Sequence, residues 1–128
     1  MSLKKEDGQA LVEFALVLPL LLILVCGIID FGWIFGCQLS ASSAAREAAR
    51  YTAIHYNDST TDNDAAIAQD IVEDYAPTLV SPSVTLTKSS DTVTITVRSQ
   101  VDILTPIIAA FFPDGQSTVT ARCTMRLE

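Results

Sequence analysis

A chain of 128 residues has room for one domain, or for one small domain and a membrane segment. Its net charge of −7 and pI near 4.4 argue against nucleic acid as a partner, because holding phosphates needs a basic face. The 49% hydrophobic content is unevenly spread: its excess lies in residues 10–39, while the acid gathers after residue 57 in an ordinary, well-solvated portion.

Residues 1–8 are a polar leader that includes Lys4 and Lys5. From Phe14 to Ile29 there is no charge, and Asp30 alone interrupts the charge-free run up to Ala45. A bilayer core of about 30 Å needs roughly 20 apolar residues in a helix. Gln9 to Ile29 supplies that length if Glu13 is accommodated near the boundary. A single transmembrane helix is therefore expected over 9–30. The lysines before it, and the lack of basic residues until Arg46, orient the N-terminus to the cytoplasm and the rest outward. A cleaved secretory signal is the competing reading. Its apolar core is shorter, about 7 to 15 residues, and ends at a small-x-small site, whereas this run continues into more helix. Pro19 removes the bond to the Ala15 carbonyl, which predicts a kink or local opening over residues 15–19.

Glu13 has two readings. It lies only about 6 Å of helix rise past Gln9, so it can snorkel to the near interface, where a charge costs less than the roughly 2.5–3.5 kcal/mol of the bilayer centre. The spacing Gly8, Gln9-Ala-Leu-Val, Glu13 suggests another role. If the chain is cut after Gly8, Glu13 becomes its fifth residue.

Asp30 falls about 26 Å of rise beyond Glu13, with Phe31, Trp33 and Phe35 beside it. It reads either as the marker of the outer interface, with aromatics at headgroup level, or as a polar contact to a partner helix. Small residues then recur every fourth position at Gly32, Gly36, Ser40, Ala44 and Ala48, with Ala41, Ala45, Ala49 and Ala53 alongside. Such a ridge permits close packing, on this chain's own sheet or on another subunit's helix. Alanine also simply favours helix. Arg46, Glu47 and Arg50 form a charged cluster, read as a solvated face or as contacts to acids on a partner. A helix from Gln9 to His55 would be roughly 70 Å long, so residues 31–56 form a stalk. His55 is the one histidine, expected on the surface near the helix end.

Residues 57–64 are a turn-rich polar loop. Its acids lack the glycine and terminal glutamate of a calcium loop, so Thr61 or Asp62 is expected to cap the next helix instead. Ile67, Ile71 and Tyr75 place that helix over about 63–75, and Pro77 ends it. After Pro82 the period becomes two. Val84 and Leu86, a turn at Ser89-Ser90-Asp91, then Val93, Ile95, Val97, Val101 and Ile103 predict a hairpin with one apolar face. Val119, Ala121, Cys123 and Met125 predict a third strand. Between them, six consecutive apolar residues from Ile107 to Phe112 form either a short helix closing the core or an exposed patch for a partner or the membrane surface. The fold class is α+β: a long transmembrane and stalk helix, a second short helix, and a small three-stranded antiparallel sheet packed on helix, with residues 57–128 as the head. A Cys37–Cys123 disulfide is geometrically open outside the cytoplasm, with independent thiols as the default.

No nucleophile–base pair, phosphate loop or metal constellation is present in the sequence, so the expectation is no enzyme, no catalytic residue, no cofactor, no metal and no small-molecule substrate. A basic leader ending in Gly8, then an acid five residues on in an apolar helix, resembles the processing site of type IV prepilins and pseudopilins. The following Val12-Glu-Phe-Ala-Leu-Val-Leu-Pro-Leu-Leu-Leu22, the Gly27-Ile-Ile-Asp-Phe-Gly32 stretch and Ala45-Arg-Glu-Ala-Ala-Arg50 resemble the TadE-like family of tight-adherence (Flp) pilus assembly proteins. The ending from Ala121 to Glu128 resembles that family's final strand. The resemblance implies a minor pilin or pseudopilin of the bacterial inner membrane, cut between Gly8 and Gln9 by a prepilin peptidase. Its other implied partners are further pilin subunits and the pilus assembly machinery. It also implies that Glu13 is neutralised by the new amine of a neighbouring subunit. That amine would belong to Gln9, where major pilins carry Phe, and a terminal glutamine can cyclise and lose its charge. An uncleaved single-span envelope protein whose outer domain binds a partner or ligand is the alternative.

Overall fold

The computed structural model describes residues 2–55 and 64–126. Helix α1 runs from Ser2 to Ile54, α2 from Asp64 to Tyr75, and strands β1 and β2 from Val80 to Lys88 and Thr92 to Asp102. A four-residue helix α3 (Pro106–Ala109) and a 3-10 turn (Pro113–Gly115) lead into strand β3, Gln116–Arg126. The expected α+β architecture is present, with a sheet in the order β1-β2-β3 and both pairings antiparallel.

Helix α1 follows from its composition. Its first half is leucine-rich, its second half alanine-rich, and both are strong helix formers. It begins inside the leader at Ser2, so the backbone does not change character at Gly8 or at residue 30. It also continues unbroken through Pro19, and the opening expected over 15–19 does not appear as a break. One missing hydrogen bond is outweighed by long helical stretches on either side. Residues 4–25 are exposed all round the helix, and among the described residues α1 is the one helix long and apolar enough to cross a membrane.

Farther along, α1 becomes one-sided. Cys37, Ala41, Ala44, Ala45, Ala48 and Ala49 are buried in a common core with Ala68 and Val72 of α2 and with Ile95, Val97, Val101, Val119 and Ala121 of the sheet. Methyl side chains let the helix lie close to the sheet, and the β-branched strand residues supply the bulk. The strands alternate as their sequences demand, with Val93, Ile95, Val97, Ser99 and Val101 all inward on β2. Ser99 keeps the phase because its hydroxyl donates to the Val80 carbonyl at 2.9 Å, which satisfies a polar group in the apolar row.

Strand β1 starts at Val80, earlier than expected, and takes in Pro82 through a register shift between Val80 and Ser83. A proline is tolerated there because β1 is an edge strand, and Ser81 takes a positive φ of 45° in the irregularity. From α2, Gln69 donates to the Pro82 carbonyl at 2.6 Å and covers this segment. Helix α2 matches its expected span. The proposed Thr61 or Asp62 cap, like most of the 57–64 loop, lies outside the described residues. Asp64, its first residue, is buried and paired with Lys88 of β1 at 2.6 Å.

Candidate functional site

Gly8, Gln9 and Glu13 stand on the exposed part of α1. Four residues apart, Gln9 and Glu13 share a face, and the Gln9 side-chain amide donates to Glu13 Oε1 at 3.3 Å. A methyl group added at Gly8 would meet nothing within 4 Å. The chain's own packing therefore gives no reason for a glycine at this point. A glycine inside a helix instead weakens it by about 1 kcal/mol relative to alanine.

The ridge of small residues divides in two. Ala44 and Ala48 are fully buried against the sheet and α2, together with Ala41, Ala45 and Ala49. Gly32 and Gly36 are exposed, with open space where a Cβ would stand. With half-buried Ser40 they border a shallow groove shared with Trp33, Cys37 and Thr78. The upper ridge thus packs on this chain's own sheet, and the lower ridge is left uncovered by it. The four-residue spacing predicts a packing surface; where the packing stops depends on the sheet.

Asp30, expected as an interface marker or a contact to a partner helix, uses its carboxylate inside the chain. It is 2% exposed and is used within the chain. Its Oδ1 accepts the backbone N–H groups of Leu104 at 2.9 Å and Thr105 at 3.2 Å, and its other oxygen accepts the Thr105 hydroxyl. Thr105 is the residue before α3, and its hydroxyl goes to Asp30 instead of capping its own helix. No sequence signal pairs Asp30 with residues more than 70 positions away. Thr105 stands just before an apolar run, and nothing in its local pattern marks it as a partner of Asp30.

Arg46 and Arg50 are exposed and Glu47 is half-buried, and none of the three forms an ion pair among the described residues. Arg50 borders an open groove of about 350 Å³ with Ala53, Ile54, Met125 and Arg126, which sets two guanidinium groups at the far end of the stalk. His55 is half-buried, stacks on Tyr51 with ring centroids 4.1 Å apart, and directs Nδ1 to the Tyr51 carbonyl at 2.9 Å. Cys37 and Cys123 are free thiols, so the disulfide is not formed. Cys37 is buried on α1 with its Sγ 3.9 Å from the Thr78 hydroxyl, while Cys123 lies half-buried at the edge of the core.

The long helix, from its unexplained glycine to the last of its arginines, is also what known proteins share with this chain. Residues 8–50 match the family described as TadE-like protein. Over this segment the chain is similar to the TadE-like family. The matched segment opens on Gly8, contains Glu13 and Asp30, and ends on Arg50, so it covers about a third of the chain and leaves out α2 and the sheet. Neither the curated proteins nor the solved structures give a match to the chain. In the matched segment the exposed apolar part and the sheet-packing part are one continuous helix.

Proposed function

We propose that this TadE-like chain is a structural component of a Tad (Flp) pilus, a minor pilin or pseudopilin without enzymatic activity that is cut after Gly8 by a prepilin peptidase. The observation that carries the reading is the coincidence of the family match with an otherwise unexplained glycine: the match begins at Gly8, where no contact requires one. A glycine weakens the helix locally. Glu13 supports the same reading. It is exposed on an apolar helix, with the neutral Gln9 amide as its hydrogen-bonding partner. An ionised acid in a low-dielectric setting is stabilised by an opposite charge, and the amine freed on Gln9 of a neighbouring subunit supplies one. The lysines of the leader then stay in the cytoplasm, and the head stands outside the inner membrane.

The test is the intact mass of the membrane protein made together with a prepilin peptidase. Loss of residues 1–8 is expected, retained by Gly8→Ala and abolished by Gly8→Leu, and Glu13→Ala is expected to stop piliation. A mature protein that keeps its leader, with piliation indifferent to Glu13→Ala, would favour the uncleaved envelope protein.

A further inference from the structure

The segment between β2 and β3 closes on itself yet hides little of its apolar surface. The Ile103 N–H donates to the Gly115 carbonyl at 3.1 Å, and the Gln116 side chain donates to Asp102 at 2.6 Å, which ties the two ends together. Gly115 makes the final turn at φ +66°, a conformation that favours glycine. Inside this closed loop no residue of α3 is buried. Leu104 is 54% exposed, Ile107 42%, Phe111 78% and Phe112 38%. A water-facing loop has no use for such a cluster.

Its height along the molecule indicates what covers it. The Gln38 side-chain amide donates to the Thr120 carbonyl at 2.9 Å, and Arg50, Ala53 and Ile54 line one groove with Met125 and Arg126, so β3 climbs alongside α1. Going down from Thr120 to Gln116, β3 descends about 14 Å at roughly 3.4 Å per residue. About nine helix residues cover that distance at 1.5 Å each, which brings the foot of the sheet level with Ile29. The Asp30 hydrogen bonds to Leu104 and Thr105 place the start of the loop at the same height independently. This is where the charge-free run ends and the exposed aromatics Phe31, Trp33 and Phe35 begin.

We infer that the loop from Leu104 to Phe112 is a second membrane contact, seated in the headgroup and upper acyl region of the leaflet on the head side. Its occupant is lipid, because the patch continues the lipid-facing surface of α1 at the depth where that surface ends. The segment from Leu104 to Pro113 has no charged side chain, and acids, Asp102 and Asp114, flank it. The contact therefore suits a zwitterionic surface rather than an anionic one. Asp30 acts as the latch that holds the loop down, and the head is fixed against the membrane at two places instead of swinging on one helix. The inference rests on α1 spanning the bilayer, and it goes beyond the pilin reading.

The full chain in phosphatidylcholine vesicles tests it. With Trp33→Phe removing the native tryptophan, Phe111→Trp gives one probe in the loop, and Leu20→Trp in the same background gives one in the span. Lipids brominated at upper acyl positions are expected to quench Phe111→Trp at least twofold, with blue-shifted emission. Water-like, unquenched emission overturns the inference. So does blue-shifted but unquenched emission, which would assign the patch to protein, a second copy included. Quenching of Leu20→Trp by deeply brominated lipids shows separately that the span is in place. Its absence would sink the membrane reading of α1 and this inference together.

Discussion

A carboxylate at Asp30 that accepts from two amides and a hydroxyl has most of its hydrogen-bonding capacity taken up within the chain. That is how an acid is tolerated at the edge of an apolar span: its polar groups are answered by Leu104 and Thr105 instead of by lipid. Removing it leaves two backbone donors and a hydroxyl without their acceptor in a part-buried place. Asp30→Ala is expected to destabilise the folded head by about 1–3 kcal/mol, read by denaturant unfolding in micelles, with faster hydrogen exchange at the Leu104 and Thr105 amides. Thr105→Val removes only the hydroxyl and should cost less. Equal losses would show that the backbone bonds contribute nothing. Glu13 is the contrasting acid, exposed and held by one side-chain amide, and its meaning lies in what it meets elsewhere.

Within α1, two kinds of small residue look alike in sequence and differ in environment. Ala45 is fully buried beneath the sheet, while Gly36 faces a groove with room for more atoms. Ala45→Leu is expected to destabilise by about 1–3 kcal/mol through overpacking. Gly36→Ala is expected to stabilise the isolated chain by up to about 1 kcal/mol, since alanine is the better helix former and meets nothing. Thermal unfolding of both variants checks the contrast. A destabilising Gly36→Ala would mean that the groove is tighter than it stands here. The four-residue spacing showed that this ridge packs; it could not show where the sheet ends, because that depends on the height of β3 against the helix.

For the molecule as a whole, the one helix long and apolar enough to cross a membrane among the described residues is also part of the core. Three strands with one apolar face need a cover, and α2 alone, with Ala68 and Val72 buried, is too short to provide it. The remaining cover comes from residues 37–49 of α1. A fragment of residues 64–126 is therefore expected to give no cooperative unfolding transition, whereas residues 30–126 are expected to fold with Ile95, Val97 and Val119 buried. Circular dichroism against temperature decides between them. A cooperatively folded 64–126 fragment would show that the head is an independent domain hung on a stalk.

The α+β class, the span, the second helix and the three strands were legible because periodicity is a local property: 3.6 in one stretch, 2 in another, and an unbroken apolar run in a third. Gly8 and Glu13 were legible as a spacing for the same reason. The Asp30 latch, the division of the small-residue ridge and the free state of Cys37 and Cys123 were decided by tertiary structure. Each depends on how far up α1 the strand β3 docks, and that height is set by packing between residues some 80 positions apart, such as Gln38 and Thr120. The apolar loop lay between the two cases. Its composition allowed a short helix closing the core or an exposed patch; a four-residue helix forms, but none of its residues is buried, so the stretch is an exposed patch and does not close the core.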